Sequence, residues 1–195
     1  AVPSISGWHS LFDAITANVS FEISTDRYIS EGHSLKLKDT SDKETIFVAS
    51  DSLPVQSGTK YTATTNLYLE DGQNTVFIRF LDENGKQVGK DVDGESLKHI
   101  RNGYGAWQTV SVSAIAPENA VSMYIGFGSS NYFQTTGAYY DDVTLVAEHQ
   151  VPKLKRAYLE AALTRATSLD LSKYTEETVN NLENVIAKAH EMLTG

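Results

Sequence analysis

The chain has 195 residues, a formal net charge of −9 and no cysteine. This length accommodates one domain with a sizeable core and a small appendage, so folding requires neither a metal nor a disulfide. The lack of cysteine excludes disulfides, thiolate metal sites and thiol catalysis. The negative charge disfavours nucleic acid and polyanionic glycans as partners, and it is compatible with neutral sugars and divalent cations.

The N-terminal residues and the hydropathy predict no membrane insertion. No run of about 18 apolar residues is present to span a bilayer. Residues 1–10 have neither the basic start nor the apolar run of a signal peptide, and we expect that any export signal has been removed.

Apolar residues alternate with polar ones between Ser34 and Val146, which predicts strands with one buried face. Turn sequences rich in glycine and asparagine separate these strands, for example Glu70-Asp-Gly72 and Glu83-Asn-Gly85. The spacing is typical of an antiparallel sandwich, and we predict a mainly β, jelly-roll β-sandwich.

The period changes after Pro152, where the apolar residues follow helical spacing. We predict two helices that form a hairpin, with Tyr158 on the apolar face of the first and Thr175 as the N-cap of the second. The predicted domains are therefore a β-sandwich over residues 1–148 and a helical segment over residues 149–195.

Five segments in order resemble the jelly-roll carbohydrate-binding modules of families 4, 9 and 22, which have a galactose-binding-domain-like fold. They are Val19-Ser-Phe-Glu22, Glu31-Gly-His-Ser-Leu-Lys-Leu37, Ser57-Gly-Thr-Lys-Tyr-Thr62, Trp107-Gln-Thr-Val110 and Ala138-Tyr-Tyr-Asp-Asp-Val-Thr-Leu145. The resemblance covers roughly residues 18 to 146 and implies non-catalytic carbohydrate binding.

The helical segment resembles part of the FIVAR module of Gram-positive surface proteins. The matching residues are Leu169-Asp-Leu-Ser-Lys-Tyr-Thr-Glu-Glu177, followed by Leu182 and the segment from Ala187 to Leu193. The resemblance implies a partial FIVAR-like helical spacer in a larger, surface-displayed bacterial protein.

The family resemblance also implies a structural calcium ion where the N-terminal segment crosses the final strand. Glu22 and Asp141 occupy the carboxylate positions, and Ser20 and His33 occupy positions that offer backbone oxygens. Independently, the alternation around Asp141 predicts that its side chain points to the core, where a carboxylate needs a cation or several hydrogen bonds. Satisfaction by backbone amides therefore stays open as an alternative.

Sites for neutral sugars combine exposed aromatic rings with polar side chains, because the rings stack on the C–H faces of sugars. One predicted site is a cleft on the outward phase of the strands, with Tyr68, Arg79 and Tyr124. Family 4 modules carry an arginine at the position of Arg79. Ser122 and Gly126 depart from the family, which places amide side chains there.

A second predicted site uses aromatic residues of loops, namely Trp8, Tyr104 and Tyr132. Glycines around Tyr104 and polar neighbours of Tyr132 favour exposed loop tips. Core packing is the alternative for every aromatic residue, and for Tyr61 and Trp107, at strand starts, it is the prediction.

An enzyme is disfavoured because glycoside hydrolysis needs two carboxyl groups at a defined separation. Asp141 and Asp142 are neighbours on a predicted strand and point to opposite faces, so they cannot flank one bond. We therefore predict a non-catalytic module that binds a polysaccharide or oligosaccharide, with structural calcium, in a secreted or surface-bound multidomain protein of a Gram-positive bacterium. The alternatives are a protein-binding adhesin or structural spacer and, less favoured, a jelly-roll glycoside hydrolase or lyase.

Overall fold

The structure, a computed structural model, describes residues 5–11, 16–129, 136–149 and 153–194. The chain forms two compact units, Ala1–Glu148 and His149–Gly195. The first unit consists of strands and the second of helices.

The described part of the first unit contains twelve strands. They are β1 (Trp8–Ser10), β2 (Val19–Ser24), β3 (Ser34–Asp39), β4 (Phe47–Ser50), β5 (Leu53–Pro54), β6 (Thr59–Leu69), β7 (Asn74–Leu81), β8 (Gln87–Val88), β9 (Leu97–Ile100), β10 (Trp107–Ile115), β11 (Ser122–Ser129) and β12 (Thr136–His149).

These strands form two antiparallel sheets, which confirms the predicted jelly-roll sandwich. The five-stranded sheet has the order β10-β6-β12-β3-β2. The seven-stranded sheet has the order β1-β4-β11-β7-β8, with β5 paired to β11 and β9 paired to β7. The consecutive strands β6 and β7 therefore belong to different sheets.

Side-chain alternation along the strands builds the core between the sheets. In β6, Leu67 and Leu69 are buried while Asn66 and Tyr68, in the opposite phase, are partly exposed. In β7, Val76 is in the buried phase that faces the core. Burying such an aliphatic side chain contributes about 1.5–3 kcal/mol to the stability of the core.

The second unit contains α1 (Lys153–Thr167), a short 3-10 helix (Leu171–Lys173) and α2 (Glu176–Thr194). The helices α1 and α2 contact each other, which confirms the predicted hairpin. Thr175 accepts a hydrogen bond from the backbone N–H of Thr178 at 3.4 Å, as expected of an N-cap. Tyr158 is 70 % exposed, whereas Leu163 is buried, so the predicted apolar face of α1 was wrong. Neither helix has the length and apolar character that crossing a membrane requires, within the described residues.

Asp39, at the end of β3, makes the stability of the folded state depend on pH. Its side chain accepts hydrogen bonds from the Ser129 hydroxyl at 2.7 Å and from the Ser41 backbone N–H at 2.9 Å. Burial raises the pKa of this carboxyl group above its ordinary value. The folded state therefore binds the proton more tightly than the unfolded chain, and stability falls as pH rises between the unfolded pKa, about 3.9, and the raised folded pKa.

We expect Asp39→Asn to remove this loss of stability. The free energy of unfolding of the variant, relative to the parent, should increase as pH rises from about 4 toward neutrality. Urea unfolding at a series of pH values measures the difference. Parallel pH profiles for the two proteins would contradict a raised pKa at Asp39.

Candidate functional site

A row of outward-facing side chains crosses the whole five-stranded sheet. In the strand register Glu22 of β2 lies opposite Lys36 of β3, Lys36 lies opposite Tyr139 of β12, and Trp107 of β10 lies opposite Tyr68 of β6. The rings of Tyr139 and Tyr68 are 6.1 Å apart, which joins the two halves. We call these five residues the cross-sheet row; at about 4.8 Å between strands it is about 19 Å long.

Three aromatic rings, those of Trp107, Tyr68 and Tyr139, form one end of the cross-sheet row. Tyr68 and Trp107 meet edge to face with 5.6 Å between ring centroids, and Tyr68 meets Tyr139 in the same manner. Tyr68 and Trp107 are partly exposed, whereas Tyr139 is 2 % exposed. Gly105 leaves room beside this cluster, because a Cβ atom built there would lie 3.9 Å from the Tyr68 hydroxyl.

Arg27, from the loop between β2 and β3, covers two of these rings. Its guanidinium carbon lies 4.3 Å from the centroid of Tyr68 and 5.8 Å from that of Tyr139, which is a cation–π geometry. Its Nε atom is 3.5 Å from the Glu70 carboxylate, and the Tyr139 hydroxyl donates to the same carboxylate at 3.4 Å. The guanidinium group is still partly exposed, so it can donate hydrogen bonds to a ligand.

Lys36 covers the other side of Tyr139. Its ammonium nitrogen lies 5.1 Å from the ring centroid and donates to Asp26 at 2.9 Å. The hydrogen bonds with Asp26 and Tyr139 raise the pKa of Lys36, and the hydrogen bond with Lys36 lowers the pKa of Asp26. Both groups are therefore charged at neutral pH.

Polar side chains continue the outer face along β6 and β10. The Thr109 hydroxyl donates to the side-chain oxygen of Asn66 at 3.0 Å, and the Asn66 amide donates to Asp142 at 3.1 Å. One step further along the strands, the hydroxyls of Thr64 and Ser111 are 2.8 Å apart. Aromatic faces and hydrogen-bonding groups are thus adjacent, as a sugar requires.

Of the predicted cleft residues, only Tyr68 lies in the cross-sheet row. Arg79 and Tyr124 face each other on β7 and β11 of the seven-stranded sheet, so the predicted single cleft is corrected to two opposite outer faces. Arg79 lies over the ring of Phe77 and binds Asp91 through two nitrogens, with a shortest distance of 2.7 Å. Its guanidinium is therefore largely committed to holding the 87–91 segment on its own sheet.

The predicted loop residues are dispersed. Trp8 lies in strand β1 and stacks on Phe127 with 4.9 Å between centroids, so it packs against the core instead of forming a loop tip. Tyr104 is 51 % exposed on the loop before β10, and its hydroxyl group lies 2.8 Å from the Arg101 carbonyl oxygen, which accepts its hydrogen bond. Its neighbour Gly105 places this loop next to Tyr68. Tyr132 lies outside the described residues.

The sequence prediction missed Arg27, Tyr139 and Trp107. Trp107 was assigned to packing because it begins a strand after a turn, but the phase of β10 places it on the outer face, opposite Tyr68. The signal that could have found it is Val110, whose burial on the same strand fixes the phase. Tyr61, by contrast, is buried, as predicted.

Two of the four predicted calcium ligands, Glu22 and Ser20, lie away from Asp141 in the strand register. Glu22 lies two strand spacings, about 10 Å, from β12, level with Tyr139 and not with Asp141. Ser20 is two residues further along β2, and His33 is exposed, with its ring Nδ1 2.9 Å from the Glu31 carbonyl oxygen. Among the described residues, no group of three His, Asp or Glu side chains could hold a metal ion.

Asp141 is buried, as predicted, but the phase argument for it was wrong. Asp142 has φ 51°, and this left-handed residue shifts the alternation: Tyr140 faces the core before it and Val143 packs on the core after it. The Asp141 carboxylate accepts hydrogen bonds from the backbone N–H groups of Ile29 at 2.6 Å, Ser30 at 3.1 Å and Asp142 at 2.8 Å. Backbone amides therefore satisfy the hydrogen-bonding needs of this buried carboxylate, which is the alternative given above.

Comparisons with known proteins show similarity in fold. No protein-family model matches the sequence, and no curated protein matches it. The enzymatically active domain of tailspike protein 4 of bacteriophage CBA120 has 17 % identity and a TM-score of 0.61 over 74 % of this chain and 20 % of that chain. The N-terminal tandem of family 22 carbohydrate-binding modules of Paenibacillus barcinonensis has 11 % identity and a TM-score of 0.54 over 77 % of this chain and 43 % of that chain.

A third solved structure contains a catalytic module as well. It is endo-1,4-beta-D-xylanase 10B of Clostridium thermocellum, whose family 22 and GH10 modules were solved with xylohexaose; identity is 17 % and the TM-score 0.52, over 74 % of this chain and 27 % of that chain. The chain therefore covers between about a fifth and two fifths of the length of each of these three solved chains. At this low identity the likeness shows a shared sandwich fold.

Calcium binding at Ser20, Glu22, His33 and Asp141 stays a prediction and can be tested by thermal unfolding. An ion that binds only the folded state stabilises it by an amount that grows with the logarithm of the ion concentration above the dissociation constant, and it therefore raises the melting temperature. The prediction requires a higher melting temperature in calcium than in chelator, and a loss of that difference in Asp141→Asn. Equal melting temperatures in calcium and chelator would contradict it.

Proposed function

We propose that the sandwich is a non-catalytic carbohydrate-binding module that binds a neutral glycan across the outer face of its five-stranded sheet. The observation that carries the proposal is the cross-sheet row, with three aromatic rings beside charged residues on one outer face. Rings stack on the C–H faces of sugars, while charged and amide groups bind the hydroxyls.

Trp107 and Tyr68 are the stacking residues, because both rings are partly exposed. Arg27 lies over one face of Tyr68, so a sugar contacts the part of that ring which Arg27 leaves open. Tyr139 supports them from below and is shielded by Arg27 and Lys36. Arg27 can donate to sugar hydroxyls and Glu70 can accept from them, since both groups are partly exposed beside the rings. Asn66 extends the polar part of the site along β6.

The similar solved structures support a carbohydrate ligand. Two of the three reported above contain family 22 carbohydrate-binding modules, and one of these, which also contains a GH10 module, was solved with xylohexaose. A xylo-oligosaccharide is therefore the first ligand to test. An open site on a flat sheet retains little binding energy after the cost of immobilising the ligand, so we expect a dissociation constant of about 10 μM to 1 mM.

The arrangement of acids favours binding over hydrolysis. Glu70 is the carboxylate next to the rings, and its oxygen is engaged by Arg27 and Tyr139. Asp142 is held by Asn66 and Ser30, and Asp141 by backbone amides. These carboxylates are thus engaged by protein groups, whereas hydrolysis needs an acid and a base that flank one glycosidic bond.

For the helical unit we propose a FIVAR-like spacer in a larger secreted or surface-bound protein of a Gram-positive bacterium. The support is the resemblance of residues 169–193 and the observed helical hairpin. The sandwich would then target or anchor the parent protein to a glycan.

Alanine substitutions can test the binding face. Tyr68→Ala and Trp107→Ala each remove a stacking ring, and we expect each to weaken binding of xylohexaose about tenfold, the equivalent of about 1.4 kcal/mol. Isothermal titration measures the dissociation constants. Circular dichroism checks that the variants are folded.

Tyr124→Ala on the opposite sheet is the matched control, because it also removes a partly exposed tyrosine from a central strand. It should leave the affinity unchanged. Loss of binding in Tyr124→Ala and Arg79→Ala, with full binding in Tyr68→Ala and Trp107→Ala, would move the site to the seven-stranded sheet. A panel of glycans that fails to bind the parent protein would favour a protein-binding adhesin or spacer.

The absence of catalysis is a separate prediction. Incubation of the protein with a panel of polysaccharides should release no reducing ends and no unsaturated products, because Glu70 and Asp142 are engaged by protein groups whereas hydrolysis needs an acid and a base that flank one bond. Product formation that is lost in Glu70→Gln or Asp142→Asn would show that the sandwich is an enzyme.

A further inference from the structure

The loop between β2 and β3, residues 25–33, is tied to the final strand through Asp141. This carboxylate is 9 % exposed and accepts the backbone N–H groups of Ile29 and Ser30. A third N–H, from Asp142, uses the second carboxylate oxygen. Charge-assisted hydrogen bonds of this kind are among the stronger ones in proteins, so the loop backbone is held closely at this point.

Asp142 provides a second tie between the same loop and the sheet. Its left-handed backbone, with φ 51°, turns its carboxylate to the outer face. There it accepts the hydroxyl of Ser30 at 2.5 Å and the amide of Asn66 at 3.1 Å. The two neighbouring aspartates thus hold Ser30 from both its backbone and its side chain.

Arg27 lies two residues before the first of these anchored amides. Its carbonyl oxygen accepts the Ser34 hydroxyl at 2.5 Å, which fixes the other end of the loop to β3. Its guanidinium group lies 4.3 Å from the Tyr68 ring and is partly exposed. A long side chain on a loop would otherwise adopt many conformations, and ordering it would cost entropy on binding.

We propose that Asp141 and Asp142 are positioning residues for the glycan site: they hold the 25–33 loop so that Arg27 lies across Tyr68 before a ligand arrives. The inference rests on the proposed function. Under this inference, Asp141 holds the loop by accepting hydrogen bonds from its backbone amides, and this role needs no metal ion. The two aspartates act through Arg27 and do not contact the sugar.

The position of Arg27 can be measured without any ligand. Protons of a guanidinium stacked on a tyrosine ring are shifted by the ring current, so the Arg27 Nε–H and Cδ–H resonances should lie upfield of those of a solvated arginine. In Asp141→Asn and Asp142→Asn we expect these resonances to move toward the solvated values. Tyr68→Ala identifies the ring-current shift, and Glu83→Gln, which removes one charge from an exposed turn of the other sheet, should leave it unchanged.

Double-mutant cycles with Arg27→Ala then test whether the aspartates act through Arg27. With xylohexaose as the probe, Asp141→Asn should weaken binding about fivefold to tenfold in the parent and less than about twofold in the Arg27→Ala background, since coupled residues are not additive. Equal factors in both backgrounds, or Arg27 resonances that do not move, would overturn the proposal. If Asp141→Asn does not fold, the same cycle with Asp142→Asn decides.

The two proposals fail in different ways. If the parent binds no glycan, the proposed function fails, but the Arg27 resonances still show whether the aspartates position this side chain. Repeating the spectra in chelator separates amide anchoring from an ion: an upfield shift that persists in chelator supports the proposal. A shift seen only in the presence of calcium would overturn it.

Discussion

The structure depends on one constraint in β12, which has to fill the core on one face and support the proposed binding face on the other. A regular strand alternates without interruption, so Tyr140 in the core would place Asp142 and Thr144 in the core as well. The left-handed backbone of Asp142 shifts the phase by one residue, and Val143 and Leu145 pack on the core instead. A non-glycine residue in this region is strained, and the hydrogen bonds of Asp142 offset that cost.

The same constraint explains how much of the fold was predictable. Strand β6 alternates over its full length, so its buried and exposed residues follow directly from the pattern. In β12 the pattern contains the phase shift, and the sequence Tyr-Tyr-Asp-Asp does not show where it occurs. Alternation also distinguishes inward-facing from outward-facing side chains, but it does not show to which sheet a strand belongs. The pattern therefore groups Tyr68 with Arg79, although β6 and β7 lie in different sheets.

The binding face was predicted only in part because its members look like core residues. Tyr139 is almost fully buried, yet Arg27 and Lys36 lie over its ring on the outer face. Long basic side chains cover apolar surface with their stems while their charges stay near water. No local pattern joins Arg27 to Tyr68, since the contact links residues far apart in sequence and depends on the anchored loop.

The angles between the rings restrict the kind of glycan that the proposed site can bind. The ring planes of Tyr68 and Trp107 are inclined by 66°, and those of Tyr68 and Tyr139 by 83°. A flat polysaccharide surface can lie against only one of such rings, because stacking requires parallel planes. A single chain whose successive sugars are rotated can present one face to Trp107 and another to Tyr68, with Arg27 and Asn66 within reach of its hydroxyls. Under the proposed function, the geometry therefore favours individual soluble chains over crystalline polymer.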